Sequence, residues 1–282
     1  MAVLPRVVFA GDREIAVRVL RLIKQQGVMP LALLLVEQAR ASHRDDLWWL
    51  CYELREDYFL EGTAFRSEAG LKLLKELAPD YIICVHFPYI FPPEVLSIPK
   101  VGVLNLHPAY LPWNRGWHTP TWAIREGTPY GATLHFMSEE VDAGDIIHQK
   151  RVRILPDDTA DRLYKRVMKL EYEVFKEAWP SIADGTFTRK PQDLSAGTFH
   201  RKEDIKTIQR LDLDEVSKAE DVIRRLRALT TNDIEEAAYF EVNGKKHRVQ
   251  IKFPEKEKQN PLSLRGVLDG IEGDAAISSL IR

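Results

Sequence analysis

The sequence predicts an α/β fold: a doubly wound, mostly parallel sheet with a smaller α+β appendage at its C-terminal end. Three observations carry this expectation. Short apolar runs rich in Val, Ile, Leu and Phe lack polar alternation, which marks strands buried on both faces. Segments with apolar residues at helical spacing separate those runs. From about Lys190 the pattern turns polar and mixed and contains a hairpin signal. Strands alternating with helices of this length favour a Rossmann-like sheet covered on both faces.

Taken in order, Arg6-Val-Val-Phe-Ala-Gly11 reads as a first buried strand that stops at a glycine. Ile15, Val19, Leu20, Leu22 and Ile23 then follow roughly helical spacing up to Gly27. Leu31–Val36 is the second strand, Glu68–Leu77 a helix closed by Pro79, Tyr81–Val85 the third strand and Gly102–Leu106 the fourth. A long helix capped by Asp158 or Thr159 has Leu163, Val167, Leu170 and Val174 on one face and is expected to end at Pro180. Phe199–Leu213 is polar and mixed, and Ala219–Leu229 reads as a helix. Asn243-Gly244 between two alternating runs is a strong hairpin signal. Residues 255–282, with scattered charges and glycines, read as a loosely held end. The chain thus divides into residues 1–189 and a small α+β subdomain, residues 190–282.

The 282 residues carry 40 Lys and Arg against 42 Asp and Glu, a net charge of −2. Gripping phosphate backbones requires a strong basic excess, so a nucleic-acid partner is not expected. Cys51 and Cys84 are too few for a disulfide framework or a four-thiolate zinc site. The apolar stretches near Gly27–Val36 and Tyr81–Pro93 fall short of the roughly 18 residues that span a bilayer, and no membrane partner is expected. No signal peptide is visible at the start, which makes a cytoplasmic location the default. The Gly11-Asp12-Arg13 turn has one glycine where a dinucleotide site carries three, so it is expected to face a cleft or nothing.

Chemistry concentrates between Tyr81 and Gln149. Asn105 and His107 lie two apart at the end of the fourth strand and so share one face. Asp142 sits in the later Val-Asp-Ala-Gly-Asp loop. An amide that can bond an oxyanion, an imidazole that can move a proton and a carboxylate that can orient it would serve acyl transfer. On spacing alone the plainer reading prevails, with His107 closing a strand and Asp142 forming a turn before Gly144.

The wider string changes that balance. Asn105-Leu-His-Pro-Ala-Tyr-Leu-Pro112, then Gly131–Met137, then Glu140–Ile147, resembles the folate-dependent formyltransferase family, whose pattern is an N-x-H strand end, a Leu-Pro, an apolar strand and a D-x-G loop. The preceding Ile82–Leu96 segment is similar to that family's folate-facing loop, and the resemblance covers most of residues 1–185. The continuation Tyr110-Leu-Pro-Trp-Asn-Arg-Gly-Trp-His-Thr-Pro-Thr-Trp122 resembles the sugar-nucleotide N-formyltransferase branch, of the dTDP-4-amino-4,6-dideoxyglucose type. The Arg-Gly-Ala-Ala-Pro continuation of methionyl-tRNA formyltransferases is absent.

That resemblance implies a formyl donor, N10-formyltetrahydrofolate, and as acceptor the amine of a nucleotide-linked amino-deoxysugar, dTDP-linked, for surface glycans of the O-antigen type. It assigns catalysis to Asn105, His107 and Asp142, and needs no metal. It maps folate contacts onto Phe87, Tyr89, Ile90, Met137 and Val141, for which plain hydrophobic packing is the competing reading. It maps acceptor contacts onto Tyr110, Trp113, Asn114, Arg115 and His118, with Arg115 suited to a pyrophosphate. Trp113 or Trp117 would stack on the base or fill the core. His135 reads as structural. Methionyl-tRNA formylation is the alternative, against which residues 191–282 carry 16 Lys and Arg and 17 Asp and Glu. Lys245-Lys-His-Arg248 then reads as a solvated strand end. A folate- or nucleotide-binding module without turnover is the third reading, and the intact Asn105, His107, Asp142 set speaks against it. The late hairpin and the C-terminal third could serve a homodimer interface.

Overall fold

The computed structural model describes residues 4–254, and residues 255–282 lie outside the described residues. In chain order the elements begin with strand β1 (Val7–Gly11), helix α1 (Arg13–Gln25), β2 (Ala32–Leu35), α2 (Arg44–Leu50), β3 (Phe59–Glu61), α3 (Glu68–Leu77) and β4 (Tyr81–Val85). There follow α4 (Pro93–Leu96), β5 (Gly102–His107), β6 (Arg115–Gly116), α5 (Thr119–Glu126), β7 (Tyr130–Phe136), β8 (Ile146–Val152) and α6 (Ala160–Ala183). The C-terminal part adds β9 (Phe199–His200), α7 (Lys206–Gln209), α8 (Ala219–Ala228), β10 (Ala238–Val242) and β11 (Lys245–Val249).

Seven strands form the central sheet in the order β3-β2-β1-β4-β5-β7-β8. The first five are parallel, and β7 and β8 join antiparallel. Successive strand side chains point to opposite faces, and here both faces are buried. Val7, Phe9, Leu33, Leu35, Ile83 and Val85 pack on one side with α1 and α6 residues such as Leu20, Ile23, Val167 and Phe175. Val8, Ala10, Leu34, Ile82 and Cys84 pack on the other with Phe65, Leu74 and Val95. That two-sided burial explains the missing polar alternation.

Local chemistry sets the helix starts. The Ser67 hydroxyl accepts from the Gly70 N–H at 3.1 Å, and the Thr159 hydroxyl from the Arg162 N–H at 3.3 Å. Two expectations are corrected. Tyr81–Val85 is the fourth strand, because the three-residue β3 is too short to show a pattern. Helix α6 runs through Pro180 to Ala183. Proline removes one intrahelical hydrogen bond, and one turn from the end that loss is tolerated.

In the C-terminal part, β10 and β11 pair antiparallel across Asn243 and Gly244, both at positive φ as a tight primed turn requires. This part packs on the rest: β9 pairs with β6, and the Trp122 ring stacks on His200 with centroids 3.9 Å apart. The strand order reverses between β1 and β4, and in such sheets ligands gather beyond the carboxyl ends of the strands there. Asp12, His86 and His107 stand at or just beyond the ends of β1, β4 and β5.

Candidate active site

Asn105 and His107 lie on β5, which pairs with β7 so that Asn105 stands opposite His135. Asp142 sits in the β7–β8 loop at φ +52, a left-handed conformation that a non-glycine residue adopts under constraint. The constraints are visible. The Asp142 carboxylate accepts from the Gly116 N–H at 3.0 Å and from the Asn105 amide at 3.3 Å. The Gln192 amide donates to the Asp142 and Gly144 carbonyls at 3.0 and 2.6 Å. A Cβ on Gly144 would lie 2.0 Å from the Phe136 carbonyl oxygen, and one on Gly116 2.2 Å from that of His200. Glycine is therefore required at both positions.

His107 Nε2 lies 3.5 Å from the Asp142 carboxylate, and His135 Nε2 lies 3.5 Å from its other oxygen. Paired with the Phe136 carbonyl at 2.8 Å, His135 Nδ1 is the protonated nitrogen, so Nε2 accepts from the Asn105 amide at 3.2 Å. Burial alone would raise the Asp142 pKa, but His107 and the Gly116 N–H together hold it well below the usual carboxylate range. Burial pushes the His107 imidazole below its ordinary value, against the pull of Asp142. The site therefore presents an ionised carboxylate beside a neutral imidazole. His107 Nε2 is buried, makes no hydrogen bond and faces the Asp142 carboxylate at 3.5 Å, so a proton taken up there would be stabilised by that charge.

Two cavities meet at this cluster. One, of about 230 Å³, is walled by Phe87, Tyr89, Ile90, Phe91, Met137 and Val141, with Asn105 and Asp142 also in its wall. All five residues expected to contact folate line it. The Tyr89 hydroxyl is held by Glu37. A flat heterocycle with a polar edge fits this apolar wall and its polar groups. The second cavity, of about 370 Å³, is walled by Arg13, His118, Thr121, Asp161, Tyr164 and Glu236 among others. The Gly11-Asp12-Arg13 turn thus faces a cleft, with Asp12 accepting from the Ser42 and His43 N–H groups at 3.0 and 2.9 Å.

Of the five expected acceptor residues, the structure brings only His118 to these cavities, and Trp117 joins it. Tyr110 and Trp113 stack on each other and line a separate groove with Arg151 and Lys190. Asn114 is buried and ties its turn to Pro129 and Thr128. The Arg115 guanidinium is buried against Glu140 at 2.6 Å. A strand–loop segment alternates its side chains between two sides, and contiguity in sequence did not predict a shared wall.

Sequence reasoning missed His86, Tyr164, Glu171 and Gln192, and placed His135 outside the site. His135 was accessible through the pairing of β7 with β5, because it stands opposite Asn105. The others come from distant segments. Among the described residues no group of three or more His, Cys, Asp or Glu is placed to hold a metal ion, and no helix is long and apolar enough to cross a membrane.

An amide, a neutral imidazole and a half-buried carboxylate where two cavities meet are the parts of a group-transfer enzyme that moves a carbonyl carbon between two bound molecules. The formyl transferase family model matches residues 37–179, and the N-formyltransferase dimerization C-terminal domain model matches residues 204–255; the chain belongs to the formyl transferase family. It is an N-formyltransferase. The dTDP-4-amino-4,6-dideoxyglucose formyltransferase of Mycobacterium tuberculosis is 33% identical over 178 residues, 63% of this chain and 75% of that protein. A methionyl-tRNA formyltransferase of Thermotoga neapolitana is 30% identical over 248 residues, 85% of this chain and 76% of that protein. The X-ray structure of a sugar N-formyltransferase from a Shewanella species shares the fold, with a TM-score of 0.75 and 23% identity over 90% of this chain and 99% of that one.

Proposed function

We propose that this chain transfers the formyl group of N10-formyltetrahydrofolate to the amine of a nucleotide-linked amino-deoxysugar, dTDP-linked, for surface glycans of the O-antigen type, and acts in the cytoplasm. The observation that carries this reading is the junction at His107 of an apolar cavity with a larger one walled by Arg13, His118, Asp161 and Glu236. A guanidinium and several hydrogen-bonding groups suit a sugar diphosphate. The mycobacterial relative, which acts on a dTDP-linked amino sugar, supports the same class.

In this reading the amine lone pair attacks the formyl carbon and the carbonyl π pair moves onto oxygen. Asn105 donates to that oxygen. Its amide protons are held only by long bonds of 3.2 and 3.3 Å, which a developing oxyanion outcompetes. A donor of this kind contributes about 2.7–4 kcal/mol in comparable sites. His107 takes the proton of the attacking nitrogen, and Asp142 holds the resulting imidazolium in place. As the carbon–nitrogen bond to the folate breaks, that proton passes to the departing nitrogen. Phe87, Tyr89, Ile90, Met137 and Val141 hold the donor, and His118 serves the acceptor. Residues 1–189 form the catalytic part, and residues 190–282 the part that mediates homodimer contact. Exposed Leu213, Val216, Val222 and Ile223 supply apolar surface there.

The test is release of tetrahydrofolate when the protein is given formyltetrahydrofolate and a panel of nucleotide-linked amino sugars. Release with none of them overturns the reading. The Thermotoga relative motivates one second reading, methionyl-tRNA as acceptor. The nearly neutral residues 191–282 count against it, and steeply salt-dependent binding of charged initiator tRNA would favour it.

A further inference from the structure

Seven residues line both cavities, and among them only His86 and His107 are titratable; the others are Phe87, Pro88, Pro108, Gly116 and Trp117. His107 has a role in the transfer, and His86 has none. His86 follows β4 at φ +53, a conformation a branched or bulky side chain holds at a cost of about 1–3 kcal/mol. Its ring is pinned at both nitrogens. Nε2 meets both carboxylate oxygens of Glu171 at 2.8 and 3.0 Å, and Nδ1 meets the Tyr164 hydroxyl at 3.1 Å. Glu171 is fully buried in the middle of α6, and its only side-chain hydrogen bonds among the described residues are those to His86. Tyr164 lies seven residues earlier on the same helix face and opens into the acceptor cavity.

We infer that Tyr164, His86 and Glu171 form a second proton relay, which takes the first proton from the acceptor when it arrives as an ammonium ion. This rests on the amine-acceptor reading above and deepens it. Formylation of an ammonium releases two protons. His107 and the departing folate nitrogen account for one, and the earlier one needs another acceptor. The Nε2–H donates to Glu171, so Nδ1 carries the lone pair. The ammonium proton passes to the Tyr164 oxygen as the tyrosine proton moves to His86 Nδ1. The products are a neutral amine and an imidazolium paired with the Glu171 carboxylate. After product leaves, Tyr164 returns the proton to water. His86 touches Glu171 and Tyr164 from α6, and the other charged or titratable groups lining its cavity are Arg13 from α1, His107 from β5, Asp161 from α6, His118 and Glu236. Tyr164 and His86 are the catalytic residues of this relay, and Glu171 positions and charges it.

The experiment is the pH dependence of kcat/KM for the acceptor, in the full chain and in Tyr164→Phe and Glu171→Gln, with the fastest amine acceptor from a panel of amino-sugar nucleotides, amino acids and aminoacyl-tRNA. Below the pKa of the amine, the wild type is expected to stay level. Tyr164→Phe should fall about tenfold per pH unit, because it depends on the free amine alone. Its KM for formyltetrahydrofolate should not change. Parallel profiles overturn the relay, since a merely structural loss is the same at every pH. Turnover with a non-sugar amine alone would overturn the sugar-nucleotide reading and leave the profile comparison decisive for the relay. Independently of any acceptor, ¹⁵N-histidine NMR should find neutral His86 protonated at Nε2; protonation at Nδ1 overturns the proposal.

Discussion

The two cavities that share His107 are built from opposite materials. The smaller is walled by the β4–α4 loop and the edge of the β7–β8 loop, with Phe87, Tyr89, Phe91 and Met137 supplying apolar surface. The larger is walled by α1, α5, α6 and the segment near Thr231–Glu236, with Arg13, His118, Asp161 and Tyr164 supplying charge and hydrogen bonds. Both are lined by two histidines that face carboxylates, His107 with the half-buried Asp142 and His86 with the buried Glu171. The difference teaches how one fold can hold two unlike reactants. Asp142 accepts from a backbone N–H, that of Gly116 in β6, as well as from the Asn105 amide, whereas Glu171 on its helix has, among the described residues, side-chain hydrogen bonds to His86 alone.

The largest effect should come where the cavities meet. His107→Ala or Asp142→Asn is expected to lower kcat by about 10²–10⁴-fold, while tetrahydrofolate binding by calorimetry persists. Wild-type turnover in both would break the division of labour. On the apolar side, Met137→Ala removes a contact worth about 1.5 kcal/mol or more and should raise the donor KM about tenfold with the acceptor KM unchanged. Gln192→Ala frees the carbonyls of Asp142 and Gly144 at about 0.5–1.5 kcal/mol each, so kcat should fall up to about tenfold while both KM values hold. On the polar side, His118→Ala should raise only the acceptor KM, by about 2–10-fold. A shift of donor KM there would merge the two cavities into one site.

The smallest effect concerns stability. His107 has a folded pKa below its unfolded value of 6.5, so the unfolded chain binds more protons and stability rises with pH until that value is passed. Asp142, with a folded pKa below 3.8, adds stability that is present above that value and is lost as pH falls beneath it. Urea melts between pH 5 and pH 7 should therefore show His107→Gln with a flatter curve than the wild type.

Much of the fold was legible because each strand had to be apolar on both faces and each helix on one. The run Glu68–Leu77 matched its helix, and the first strands differed from expectation by a residue at either end. The short β3 was not legible, since three residues carry no period. At the site, Asn105 and His107 were legible from an alternation of two along one strand. His135 required the register of β5 against β7. Arg115 was mapped by resemblance to a pyrophosphate contact, yet in the fold its guanidinium pairs with Glu140.

The sequence by itself determined the layers of this protein, its helix caps, its glycine-dependent turns and its family. These follow from local sterics and from burial patterns that a single segment carries. The tertiary structure alone decided that Tyr110 and Trp113 turn away from the cleft and that Gln192 clamps the Asp142 loop. It also joined His86 at the end of β4 to Glu171 on α6, 85 residues away. Such contacts depend on which segments the sheet order brings together and on which side each residue faces, and no local pattern encodes either.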